Sequence, residues 1–168
     1  MTLMNPLYLK RILGFLEEIG IGYQLTSEPC DSFLRGIKMV NGQLLINTRD
    51  LLCSGDILHE AGHIACLPPE LRPKASGDIG ATLGEQQTYE LAVILWSVAA
   101  AHHLEIPVSE IFHDEAYLGY SDWFTEQASS NSYVGLPLLQ WLGLAASDEE
   151  LAAGKVQPFP AMKRWLRV

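Results

Sequence analysis

Apolar residues at Leu7, Leu9, Ile12, Leu13, Leu16 and Ile19 follow Asn5-Pro6 at helical spacing. Asn is a good N-cap and proline loses nothing at the first helical position, so a helix is predicted from here to Gly20 or Gly22. Tyr23–Thr26 reads as a short strand. Gly36–Val40 and Gln43–Asn47 flank Asn41-Gly42, a pair that tolerates the two positive φ angles of a type I′ turn, and so predict a β-hairpin. A helix follows from about Ser54 to Cys66, stopped by Pro68-Pro69, and a second from about Leu83 to His103. Within the second, Leu91-Ala-Val-Ile-Leu-Trp96 is apolar on every face and therefore predicted to be buried. Beyond Pro107 shorter helices are predicted at Ser109–Tyr117, Ser121–Ser129, Leu136–Leu142 and Ser147–Ala153. Pro158-Phe159-Pro160 reads as an extended arm, with Trp165 packed or free. The pattern predicts an α+β fold. A small three-stranded sheet, antiparallel or mixed, packs on the helix at 54–66 and on a second buried helix, and the C-terminal half is helical. One domain over 1–168 is expected, with a core at 1–104 and a helical extension with a basic tail at 105–168.

The chemistry sits on the first of these two helices, in His59-Glu60-Ala61-Gly62-His63. Residues four apart share a helix face, so both histidines can converge on one metal ion. Neutral imidazole is a good zinc ligand, and Zn²⁺ is the expected ion. Glu60 is placed to reach a water beside the metal rather than the metal itself, and to take its proton as a general base. The flanking Ile57, Leu58, Ala61, Gly62, Ile64 and Ala65 are uncharged, as a helix buried around a metal requires. Cys66 shares the stripe but lies a turn too far, and reads as a small buried hydrophobe.

Charge narrows the search for a third ligand. The chain carries 20 acidic and 11 basic residues, a formal net charge of −9. No Lys or Arg occurs between Lys74 and Lys155, while that stretch holds 12 acids. Nucleic-acid binding needs phosphate neutralisation, and the acidic middle opposes it. Glu90 opens the apolar run, where a buried carboxylate is costly unless paired or metal-bound, and the neighbouring sequence supplies no base to pair it. Glu90 therefore stands first as third ligand, ahead of Glu85, which suits a helix first turn by dipole alone. Asp78, His102, His103 and His113 are the remaining candidates, although His102-His103 also suits the negative end of the second helix.

Aromatic residues crowd positions 112–141, as a second core layer or as a cleft wall. His113, Tyr117 and Tyr120 are the candidate donors to a developing oxyanion, and Gly119 and Gly135 could bound a mobile loop. No run approaches the roughly 20 apolar residues of a membrane span. The N-terminus lacks a signal-peptide layout. The three cysteines form no C-x-x-C pair, so a reducing cytoplasm is expected.

At the strand Gln43–Asn47, the helix bearing His59-Glu60-Ala61-Gly62-His63 and the apolar helix opened by Glu90, the chain resembles the zincin metallopeptidases, and within them the ImmA/IrrE-like family. The resemblance covers about residues 7–104. It implies a zincin-like fold, zinc bound by His59, His63 and Glu90, Glu60 as general base, and hydrolysis of a peptide or protein. From the charge and the lack of a long apolar run, no nucleic-acid and no membrane partner is expected. Many members accompany a helix-turn-helix repressor that they cleave, and no such domain is legible here. Where the family has a basic, aromatic stretch before the first histidine, this chain has Leu51-Leu-Cys-Ser-Gly-Asp-Ile-Leu58. The expected activity is that of a small cytoplasmic metallopeptidase. The alternative is a non-catalytic zinc-bearing interaction module. The acid-rich stretch predicts a preference for cationic substrates, and the Gln43–Asn47 strand is expected to pair with an extended peptide by edge addition.

Overall fold

The computed structural model describes residues 5–30, 32, 34–84, 88–112, 126 and 133–168. Helix α1 spans Pro6–Ile19. The Asn5 side chain accepts from the Leu7 N–H at 3.0 Å, and Gly20, at φ 82°, closes the helix. Ile12, Phe15 and Leu16 form its buried face. Strands β1 (Tyr23–Leu25), β2 (Ile37–Val40) and β3 (Gln43–Ile46) make one mixed sheet in the order β1-β3-β2. β2 and β3 form the hairpin, with Asn41 at φ 50° and Gly42 at φ 73° at its tip. β1 pairs parallel to β3 on the other side. β3 is thus the central strand and not an edge, which removes the edge addition expected of it. The outer edge of β2 is taken as well: the Met39 carbonyl accepts from the Gly77 N–H at 3.0 Å, and the Ile37 carbonyl accepts from the Ser32 hydroxyl.

Helix α2 (Gly55–Cys66) packs against β2 and β3 and against the long helix α4 (Glu90–His103). Every residue of α4 from Ala92 to Ala101 is buried. Such a helix has no amphipathic face to present to water and must be enclosed by neighbours. Gly62 makes the α2–α4 contact close. A Cβ there would lie 3.0 Å from Val93 Cγ1 and 3.3 Å from Trp96 Cε3.

The second helix starts later than its apolar pattern predicted. Ile79–Leu83 is a separate short helix, α3, capped by the Asp78 side chain and ended at Gly84. Tyr89, in the left-handed region at φ 48°, then precedes Glu90. Gly84, Thr88 and Tyr89 are non-helical where the pattern ran on, so the continuous helix from Leu83 is corrected to a break.

Past Pro107 the chain makes a 3₁₀ turn at Val108–Glu110, in place of the start of the helix predicted from Ser109. Positions 113–125 and 127–132 lie outside the described residues, and with them most of the predicted Ser121–Ser129 helix. α5 (Leu136–Trp141) packs on α4, and α6 (Asp148–Ala152) begins with a capping box between Ser147 and Glu150. The C-terminal segment, read as an extended arm with Trp165 packed or free, is docked. Ala145 and Met162 form a bridge, and Lys163 N–H donates to the Leu144 carbonyl at 2.9 Å. Trp165 sits edge-on against Phe15 and Trp96. Cys30, Cys53 and Cys66 are free thiols. Among the described residues, no helix is long and apolar enough to cross a membrane.

Candidate metal centre

His59 and His63, one turn apart on α2, stand nearly perpendicular, with ring centroids 5.0 Å apart. Glu90, the first residue of α4, reaches both. Its Oε1 lies 3.4 Å from His59 Nε2 and its Oε2 lies 3.5 Å from His63 Nε2. One ligand atom from each of the three residues falls within 4.8 Å of the others. The edge of a tetrahedron with ~2.1 Å metal–ligand bonds is ~3.4 Å, so the separations suit one cation at their centre.

The protonation chemistry points the same way. Burial pushes the His59 imidazole down to about 3 and that of His63 to about 4, with the neighbouring His63 adding to the effect on His59. Both rings are therefore neutral at pH 7. His63 Nδ1 lies 3.1 Å from the Thr88 carbonyl oxygen, which can only accept, so Nδ1 carries the hydrogen and Nε2 presents a lone pair to Glu90. An imidazole lone pair and a carboxylate oxygen facing each other are two acceptors. A proton on Glu90, whose carboxyl is raised by burial, satisfies one such contact; a cation satisfies all of them. The donor set of two imidazoles and a carboxylate is one that zinc accepts, and the residues present fit the ion.

Glu60 lines the same cavity, which has a volume of about 580 Å³ and includes Lys38 and Met39 of β2 and Asp78 in its wall. Burial raises the Glu60 carboxyl to about 7, and the Glu90 and Asp56 carboxylates push in the same direction.

Among the described residues, Glu90 is the one expected third ligand that joins the histidines. It is less buried than the apolar run that singled it out predicted: half of its side chain (51%) is exposed at the cavity. Asp78 lines the cavity but caps α3, accepting from Ala81 N–H at 3.1 Å. His102 and His103 close the opposite end of α4, about 20 Å from Glu90 at 1.5 Å per residue. Glu85, His113, Tyr117 and Tyr120 lie outside the described residues. Cys66 is buried, its thiol pushed up to about 12 by burial, as its reading as a core hydrophobe requires. Thr88 was not foreseen. It acts through its backbone carbonyl, and no side-chain pattern announces that.

The chain matches no family profile, no curated protein and no solved structure.

Proposed function

We propose that this protein is a zinc-dependent hydrolase of the zincin type that cleaves peptide bonds, with His59, His63 and Glu90 holding the metal and Glu60 as general base. The observation that carries the reading is the convergence of three ligating atoms within 4.8 Å on the wall of a cavity that Glu60 also lines. The likeness of the His59–His63 segment to the zincins adds to it. Zinc held by these residues supplies Lewis acidity, lowering the pKa of a coordinated water towards 7 and polarising a carbonyl. Glu60 takes the proton of the attacking water at its carboxylate and returns it to the amine as the C–N bond breaks. A carboxyl raised to about 7 suits both halves of that exchange at neutral pH.

Thr88 fixes the His63 ring with Nε2 turned to the metal position. A cavity of about 580 Å³ holds a short stretch of peptide. Both outward carbonyls of β2 are engaged, so the substrate enters the cavity without adding to the sheet along β2. Cationic side chains are favoured by the acid-rich stretch and by Asp78 on the wall, against the single ammonium of Lys38. In the alternative module a fourth protein ligand would seal the ion. A half-exposed Glu90 beside an open cavity favours the hydrolase.

The test is metal analysis together with peptide-library hydrolysis for wild type and Glu60→Gln. Both proteins should hold one zinc per chain, and the variant should turn over about 10²- to 10⁴-fold more slowly. Stoichiometric zinc with no cleavage, or a fully active Glu60→Gln protein, would overturn the proposal.

A further inference from the structure

The three residues before and at the start of α4 contribute twice to the site. Thr88 orients His63 through its carbonyl, and Glu90 brings the third carboxylate. Between them Tyr89 holds φ 48° and ψ 32°, a left-handed conformation that a bulky residue keeps only when its surroundings impose it.

The C-terminal segment supplies that constraint. Arg167 Nη1 donates to the Tyr89 hydroxyl at 3.0 Å, and its guanidinium lies 5.5 Å from the Tyr89 ring centroid and 5.5 Å from that of Trp141. Arg167 is itself anchored at the C-terminal end of α2, where the last carbonyls of a helix lack partners and attract cations. Its N–H donates to the Ala65 carbonyl at 3.0 Å, and Arg72 Nε donates to that of Ile64 at 3.3 Å. Arg72 also donates through Nη2 to the Arg167 carbonyl. Upstream, the Trp165 carbonyl accepts from Trp96 Nε1 at 2.9 Å. One strap of residues 165–167 thus joins the end of the helix that bears both histidines to the residue preceding Glu90.

We infer that Arg167 is a positioning residue for the metal centre: by tying Tyr89 to the end of α2 it fixes Glu90 and Thr88 relative to His59 and His63. The inference rests on the metal-site reading above. Outer partners of metal ligands typically change metal affinity by 10- to 100-fold when removed. Loss of the Arg167–Tyr89 contact should act at that level while leaving α2 and α4 folded.

The experiment strips metal from the full chain and titrates it with Zn²⁺ against a chromophoric chelator. The variants are Arg167→Ala, Arg167→Lys, Tyr89→Phe and the double Arg167→Ala/Tyr89→Phe, each checked by circular dichroism. Arg167→Ala should bind zinc at least about tenfold more weakly. Tyr89→Phe, which deletes one hydroxyl and keeps the ring, should lose severalfold. The double variant should be no weaker than Arg167→Ala, because both changes break one contact, and Arg167→Lys should recover part of the loss. If Arg167→Ala does not fold, Tyr89→Phe decides. Wild-type affinity in every folded variant, or losses that simply add in the double, overturns the inference while leaving the metal site standing. A wild-type chain that binds no zinc overturns both.

Discussion

A hydrogen bond to a backbone carbonyl decides which nitrogen of His63 faces the metal position, and burial keeps that ring and its partner unprotonated. The same buried groups make the metal-free protein sensitive to pH. The folded pKa values of His59 and His63, about 3 and 4, lie below the ordinary value of 6.5. Their contribution is present above pH 6.5 and is lost as pH falls towards 4 and 3, because the unfolded chain takes up the protons first. Glu60 works in reverse. Raised to about 7 from 4.5, it favours the folded state below pH 4.5 and loses that contribution as pH rises through 7, on the order of 3 kcal/mol. Glu90 is raised in the same direction. Below pH 6.5 the two histidines outweigh Glu60, and above it the opposing contributions nearly cancel, so the stability of the metal-free chain should fall as pH drops from 6.5 towards 4. Melting temperatures across pH 4–9 check this, and Glu60→Gln, which removes the opposing group, should steepen the acid side; a wild type that gains stability as pH drops from 6.5 to 4.5 contradicts it. Glu90 was legible in the sequence as the acid that opens an apolar run, yet its side chain is only half-buried. Glu90 is the first residue of α4, where the helix start places its carboxylate at the cavity.

Helix α2 bears the histidines, α4 bears Glu90, and the distance between them is set by Gly62. A larger side chain there must displace Val93 or Trp96, both fully buried. Gly62→Val should cost about 1–3 kcal/mol, typical of overpacking a tight core. It should also weaken zinc binding, because the third ligand retreats with α4. Thermal denaturation with and without zinc measures both effects, and a variant with unchanged melting and zinc affinity would refute this role. Elements whose ends are written in local chemistry were read correctly: α1 between Asn5-Pro6 and Gly20, the hairpin around Asn41-Gly42, and α2 ahead of Pro68-Pro69. The start of α4 was not, because the break depends on Tyr89 adopting a left-handed conformation imposed from elsewhere. The central position of β3 was equally hidden, since the parallel partner β1 is set by packing and not by the hairpin.

Across the whole molecule, metal binding should stabilise by mass action. With free zinc at 100 times its Kd, the gain is about 2.7 kcal/mol. A calorimetric scan with and without zinc should show the melting transition rise, and His63→Ala should abolish the rise; an equal rise in His63→Ala would place the ion elsewhere. The small basic group at 155–168, first visible as an imbalance of charge, proves to include a cation placed against the carbonyl end of α2. The strap it belongs to has a kinetic consequence. The Arg167 contacts to Tyr89 and Cys66 close loops of 78 and 101 residues, whereas the three ligands lie within 31 positions of one another. Closing a longer loop carries a larger entropic barrier, and long-range contacts form slowly. During refolding, the two histidines and Glu90 should therefore meet before the strap docks. On the proposed reading, the nascent centre should first capture its ion loosely, and its grip should tighten only when the last stretch of chain settles into place.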